Sequence, residues 1–210
     1  MPAATLQTEA FVLARRPTAA DGWQALTLFA PEHGLLLGMQ RVPRKASKSQ
    51  VQLDLFDEAA LSLESSNQGR TWFVREARIA RRHVAIGRSY AALQGASILA
   101  GLIARNPVSP ESRGPVAALL RAGFSAYDES DKPEAVTFKC LYCFARDEGY
   151  PVKQEWFPSL TTADREVAAG LLNRPLAEQK ASAEETVRIR RLLEGYLRER
   201  TEILLDQAAK

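Results

Sequence analysis

The chain reads as α+β: a small closed β-barrel of five strands followed by an α-helical domain. Three observations predict this. Apolar and polar residues alternate at a period of two through much of the first third. Turn-forming clusters divide that region into five short runs, mostly joined by tight connections. Beyond Gly87 the apolar spacing changes to three and four, the helical period.

The strand runs are Phe11–Arg15, Trp23–Phe29, Leu35–Met39, Val51–Ser65 and Trp72–Ile79. Val51–Ser65 is the clearest. Val51, Leu53, Leu55, Ala59, Leu61 and Leu63 occupy odd positions, and Gln52, Asp54, Glu58, Ser62 and Glu64 even ones. That pattern predicts a half-buried strand bent near Asp57. Pro31-Glu-His-Gly34 predicts a hairpin loop.

Helices follow. Ile86–Arg105 is rich in Ala and Leu and free of proline. Ser109-Pro110 supplies a capping hydroxyl and a proline suited to a first turn, ahead of Val116, Leu119, Leu120 and Phe124. A third helix starts near Asp131 and Pro133 and stops at Gly149 and Pro151. Thr162–Leu172 is a shorter one. The last opens on the capping box Ser182-x-x-Glu185 and carries Ile189, Leu192, Leu193, Tyr196, Leu197, Ile203 and Leu204 as its apolar stripe. The boundary is expected at Arg81 to Gly87, giving domains of residues 1–81 and 82–210.

Composition narrows the function. With 46% hydrophobic and 25% charged residues the chain is ordinary globular protein. The net charge of +3 permits a polyanionic partner without requiring one. Met1–Ala10 has neither a basic nor an apolar leader region, and the longest apolar stretch, Ala91–Ala104, is too short to span a bilayer. The expectation is a cytoplasmic protein with no membrane partner.

Catalytic patterns are absent. His33 and His83 are the only histidines and are expected at the surface. No phosphate-binding glycine loop, dinucleotide fingerprint or zinc-protease motif occurs. Cys140 and Cys143 form a single C-x-x-C inside a helix. A structural zinc needs four ligands, so inert thiols are expected, with no metal, no cofactor and no catalytic residue.

The local charges point to a polyanion. No acidic residue falls between His33 and Leu53, where Arg41, Arg44, Lys45 and Lys48 alternate with Ser47 and Ser49. Clustered cations on a loop neutralise phosphates and release counterions. Arg15 and Arg16 form a second basic spot. Arg78, Arg81 and Arg82, with Arg75 and Arg88, form a third. Phe56 falls on the polar face of its alternating strand, where an aromatic can stack on a base or pack against the second domain.

Several stretches together resemble the RecO family of bacterial recombination mediators. Glu9-Ala-Phe-Val-Leu-Ala-Arg-Arg16 is similar to that family's opening strand, and Leu26-Thr-Leu-Phe-Ala-Pro-Glu-His-Gly34 to its hairpin. Arg41-Val-Pro-Arg-Lys-Ala-Ser-Lys48 resembles its basic segment, and Gln52-Leu-Asp-Leu-Phe56 the strand after it. Phe138-Lys-Cys-Leu-Tyr-Cys-Phe with Glu148-Gly-Tyr-Pro151 resembles its third-helix end. The resemblance implies an OB-fold barrel and a non-enzymatic, nucleoid-associated DNA-repair protein. It would bind single-stranded DNA and the acidic tail of single-stranded-DNA-binding protein, anneal strands, and act with RecR to load the recombinase RecA. The basic residues named above, with Phe56, are then its nucleic-acid contacts. Arg105, Arg113, Arg121 and Lys139, among Leu119, Leu120, Phe124 and Phe138, would supply the tail's docking site. Where many members of that family carry four zinc-binding cysteines, this chain has Val152-Lys-Gln-Glu-Trp-Phe-Pro158. It resembles the zinc-free branch, with Trp156 and Phe157 as an apolar plug. A general OB-fold module for RNA or protein is the alternative.

Overall fold

Alternation along the first third produces five strands whose inner faces share one core. The computed structural model describes residues 4–19, 22–42, 51–65 and 67–205. The strands are β1 (Ala4–Pro17), β2 (Trp23–Ala30), β3 (Gly34–Arg41), β4 (Glu58–Ser65) and β5 (Trp72–Arg81). They close on themselves in the order β1-β2-β3-β5-β4. The ring closes because β1 is long enough to serve two neighbours. Ala4–Phe11 pairs with β4 and Phe11–Pro17 with β2, with a bulge between Val12 and Ala14. Ala10, Val12, Leu26, Leu28, Leu53, Ala59, Leu61 and Leu63 fill the interior.

Two compact units account for the chain. One comprises residues 1–83 and 107–117, the other residues 84–106 and 118–210. In the first, Arg113 donates from Nη1 to the Glu32 carbonyl (2.9 Å). Gly34 enters β3 with φ +75°, beside that guanidinium. The hairpin turn before it closes with His33 N–H donating to the Ala30 carbonyl (3.2 Å).

The alternation from Val51 to Ser65 yields a strand only in its second half. Residues 51–57 form an irregular approach instead. Asp57 is the cause. Its fully buried carboxylate accepts the Asp54 N–H (2.8 Å) and both arms of Arg82 (2.9 and 2.6 Å). Phe56 takes φ +67° in the turn this creates.

The helical region comprises α1 (Tyr90–Arg105), α2 (Arg113–Glu129), α3 (Pro133–Asp147), the short turn α4 (Phe157–Ser159), α5 (Thr162–Asn173) and α6 (Ala183–Arg200). A 3-10 turn, Val84–Arg88, precedes α1, and a π-type turn, Val152–Trp156, leads into α4. The capping box at Ser182 and Glu185 forms in both directions. Ser109 caps a 3-10 turn ahead of α2. In α6 the buried stripe is Thr186, Ile189, Leu193 and Leu197, while Leu192 is exposed. Ile203 and Leu204 lie beyond the helix, which stops where Thr201 turns extended. There Asn106 grips Leu204 through two hydrogen bonds (3.0 and 2.8 Å), leaving Ile203 buried and the Leu204 side chain exposed.

α3 packs against α1 and α6. Its fit to α1 requires a glycine. A Cβ at Gly95 would lie 2.5 Å from the Tyr127 ring and 2.7 Å from Thr137 Oγ1. Those two side chains are joined by a buried hydrogen bond (2.9 Å). Gly95→Ala would ordinarily gain helix propensity, ~0.5–1 kcal/mol. Here overpacking outweighs it, and a net loss of about 1–2 kcal/mol is expected from urea unfolding. A stabilised variant would contradict this packing.

Candidate nucleic-acid interface

A row of paired residues runs from the end of β1 across the start of β2 and the end of β3 to the start of β5, which pairs with the end of β4. Local hydrogen bonds tie described residues that flank the β1–β2 and β4–β5 connections. Gly22, at φ +77°, accepts the Val42 N–H (2.7 Å), and Thr18 Oγ1 donates to the Trp23 carbonyl (3.1 Å). On the other connection Ser65 Oγ accepts from Gly69 N–H (2.9 Å), and Asn67 Oδ1 accepts from Thr71 N–H (3.0 Å). These bonds set Trp23 and Phe73 at the two strand starts.

Register then assembles a surface. Arg16 pairs with Ala25, Ala25 with Met39, and Met39 with Phe73, so four strands present one row on the outer face. In the next row Trp23 pairs with Arg41. The Trp23 and Phe73 rings meet across β3, edge to face, with centroids 5.6 Å apart. Both are half-buried, and Arg16 and Arg41 are exposed. A π surface flanked by guanidinium groups can hold a base and its phosphates.

On the inner side, at the start of β2 and the end of β3, sits a glutamine pair. Gln24 donates to Gln40 Oε1 (2.9 Å), which also accepts the Leu53 N–H (3.1 Å), and Gln40 Nε2 donates to the Val51 carbonyl (2.8 Å). The chain therefore returns at Val51 beside Gln40, near the end of β3.

The expected contacts fall into separate groups. Arg16 and Arg41 belong to the row just described. Arg15 precedes Arg16 on β1 and pairs with Asp54 (3.2 Å). Arg44, Lys45 and Lys48 lie outside the described residues, as do Ser47 and Ser49. Arg78 and Arg81 are exposed toward the far end of β5, opposite Ala60 and Glu58, with Arg78 roughly 17 Å along the strand from Phe73. Arg82 is engaged bidentately by Asp57 and also donates to the Gln52 carbonyl (2.8 Å). Hydrogen bonding to Asp57 raises its pKa further. Its fork is therefore occupied within the protein, which corrects its reading as an open phosphate contact.

Phe56 is a second correction. It is 3% exposed, in a turn rather than on the wet face of a strand, so it offers no ring for stacking at the surface. The periodicity pointed to the wrong face because the Asp57–Arg82 pair breaks the strand before Glu58. Trp23 and Phe73 were not singled out by sequence. Their outward parity is readable, but their meeting depends on three strands in register.

His33 is exposed 3.7 Å from Glu32, whereas His83 is buried, contrary to expectation. Cys140 lies within the helical core, and burial pushes its thiol up to about 12, so it stays protonated at neutral pH. Burial also raises Cys143. Among the described residues no cluster of His, Cys, Asp or Glu could hold a metal, and no helix is long and apolar enough to cross a membrane.

The residues expected to form a tail-docking site fall in different settings. Leu120, Phe124 and Phe138 are fully buried, Arg113 serves the Glu32 carbonyl, and Lys139 donates to the Arg174 carbonyl (2.8 Å). Arg105 lies over Gly101. A groove elsewhere in the helical unit, lined by Trp156, Leu160, Leu192 and Tyr196, has both Arg191 and Glu199 at its edge.

No family model and no curated protein sequence matches the chain.

Proposed function

We propose that this chain binds single-stranded nucleic acid on an OB-type barrel and acts, without covalent chemistry, as a DNA-repair mediator of the RecO kind. The observation that carries the binding reading is the Trp23–Phe73 pair, with Arg41 on the strand between the two rings and Arg16 on the neighbouring strand β1. Its place adds support. OB barrels seat single strands on the faces of the second and third strands and on the loops after the first and fourth. Here those are β2, β3 and the connections at Gly22 and Gly69. The acid-free sequence from His33 to Leu53 includes β3, and its return at Val51 lies beside Gln40 near the end of that strand. The mediator reading rests on the motif resemblance and extends to the partners expected from it: the single-stranded-DNA-binding protein tail, RecR and, through them, RecA at the nucleoid.

Fluorescence anisotropy with labelled oligothymidylate, matched RNA and duplex tests the binding. Trp23→Ala with Phe73→Ala is expected to weaken single-strand binding about 10- to 100-fold, the loss of one or two stacked bases. Arg16→Ala and Arg41→Ala should each lower the log–log salt slope by about 0.7. Unchanged affinity in the double aromatic variant would refute the placement. Preference for RNA, with no capture of single-stranded-DNA-binding protein or RecR in a pull-down, would replace the mediator with a general OB module.

A further inference from the structure

The start of α1 displays an aromatic ring that the fold does not use. Tyr90 is 79% exposed, and Val84 is 62% exposed on the 3-10 turn that packs against α1. Leu93, one turn along the helix on the same side, is also exposed. Gln94 and Ser97 continue this face, and the Ser97 hydroxyl is turned back onto the Leu93 carbonyl (2.7 Å).

We propose that this face, centred on Tyr90 with Arg88 beside it, is a second contact for single-stranded nucleic acid. The inference rests on the function proposed above and adds a site in the other unit of the chain. The choice of occupant follows from charge and shape. No acidic residue occurs from Ala77 to Pro110, a stretch with Arg88 and Arg105 among its cations. The first turn of α1 has no acid. Asp128 is the carboxylate that reaches this segment, and its Oδ1 accepts the Ala85 and Ile86 N–H groups (2.6 and 3.2 Å). With Arg88 two residues before it and no acid in the first turn, the exposed start of α1 favours an anionic ligand. The ring stands at an exposed helix start, and nothing lies within 4 Å of where a Cβ on Gly87 would be. An open ring with a guanidinium two residues away suits base stacking with a phosphate alongside.

The full-length chain carries the test. Oligonucleotides containing iodouracil are irradiated on the protein and the adducts mapped by mass spectrometry. An adduct at Tyr90 is expected. Tyr90→Ala should weaken oligothymidylate binding about tenfold, while Tyr90→Phe keeps it, since stacking uses the ring and not the hydroxyl. Arg88→Ala should reduce the salt slope by about 0.7. Circular dichroism confirms that these surface variants remain folded. If Tyr90→Ala binds normally and no adduct forms there, while Trp23→Ala with Phe73→Ala weakens binding, the inference falls and the proposed function stands. If the unaltered chain binds no single strand, both fall. Protection of Tyr90 from iodination by a polyglutamate peptide but not by oligothymidylate would assign the face to an acidic protein segment and overturn the inference.

Discussion

Trp156→Ala is expected to lower the unfolding free energy by about 3–5 kcal/mol, the usual cost of removing a large aromatic from a core. Trp156 is 2% exposed, and its ring centroid lies 6.1 Å from both Phe138 and Tyr142 and 6.4 Å from Phe157. The plug expected from sequence is thus a built part of the helical core, with Phe157 half-buried at its margin. Trp156→Phe should cost much less, about 1 kcal/mol or below. The indole Nε1 has no hydrogen-bond partner among the described residues, and removing an unsatisfied buried donor offsets part of the lost volume. Urea unfolding of both variants decides the matter. A loss under 1 kcal/mol for the alanine variant would mean that the core re-forms without the ring.

Arg82→Ala should destabilise the strand ring by about 3 kcal/mol. Breaking a buried ion pair typically costs 3–5 kcal/mol because one charge is left uncompensated. The low end applies here, since Arg82 is 43% exposed while the Asp57 side chain is fully buried. Arg82→Lys should recover little, because an ammonium cannot span both carboxylate oxygens. Asp57→Asn combined with Arg82→Ala should be more stable than Arg82→Ala alone, because no unpaired charge remains. Thermal and urea unfolding measure these effects. In the variant that remains folded, an unchanged salt slope for oligonucleotide binding would separate this structural role from a phosphate contact. A destabilisation near zero would return Arg82 to the surface cations.

These two residues also mark how far the sequence can be read. Alternation at Ala59, Leu61 and Leu63, and the change to helical spacing after Gly87, report forces that act within one element, and the five strands and main helices follow from them. Ser182 and Glu185 form the expected cap because its partners are three residues apart. Phe56 and His83 are different. The first is buried in a turn next to a salt bridge between residues 25 positions apart, and no local period encodes that pair. Leu192 has the right spacing for the core but lies at the edge of the α6 stripe. At the candidate interface, Arg16 and Arg41 were readable as basic spots beside strands. Trp23 and Phe73 become a pair only when β2, β3 and β5 are aligned.

That alignment has an uneven fastening. Among the described residues the other strand junctions hold six to eight register pairs each, but β3 meets β5, in parallel, through two, Gly38↔Trp72 and Met39↔Phe73. The ring is a band with one short clasp, and parting those two pairs opens it while every hairpin stays intact. Trp23 sits on one side of the clasp and Phe73 on the other. A base resting on both rings, as proposed above, would bridge the gap and so couple its binding to closure. Whatever free energy the ligand contributes there is added to the least secured joint of the ring.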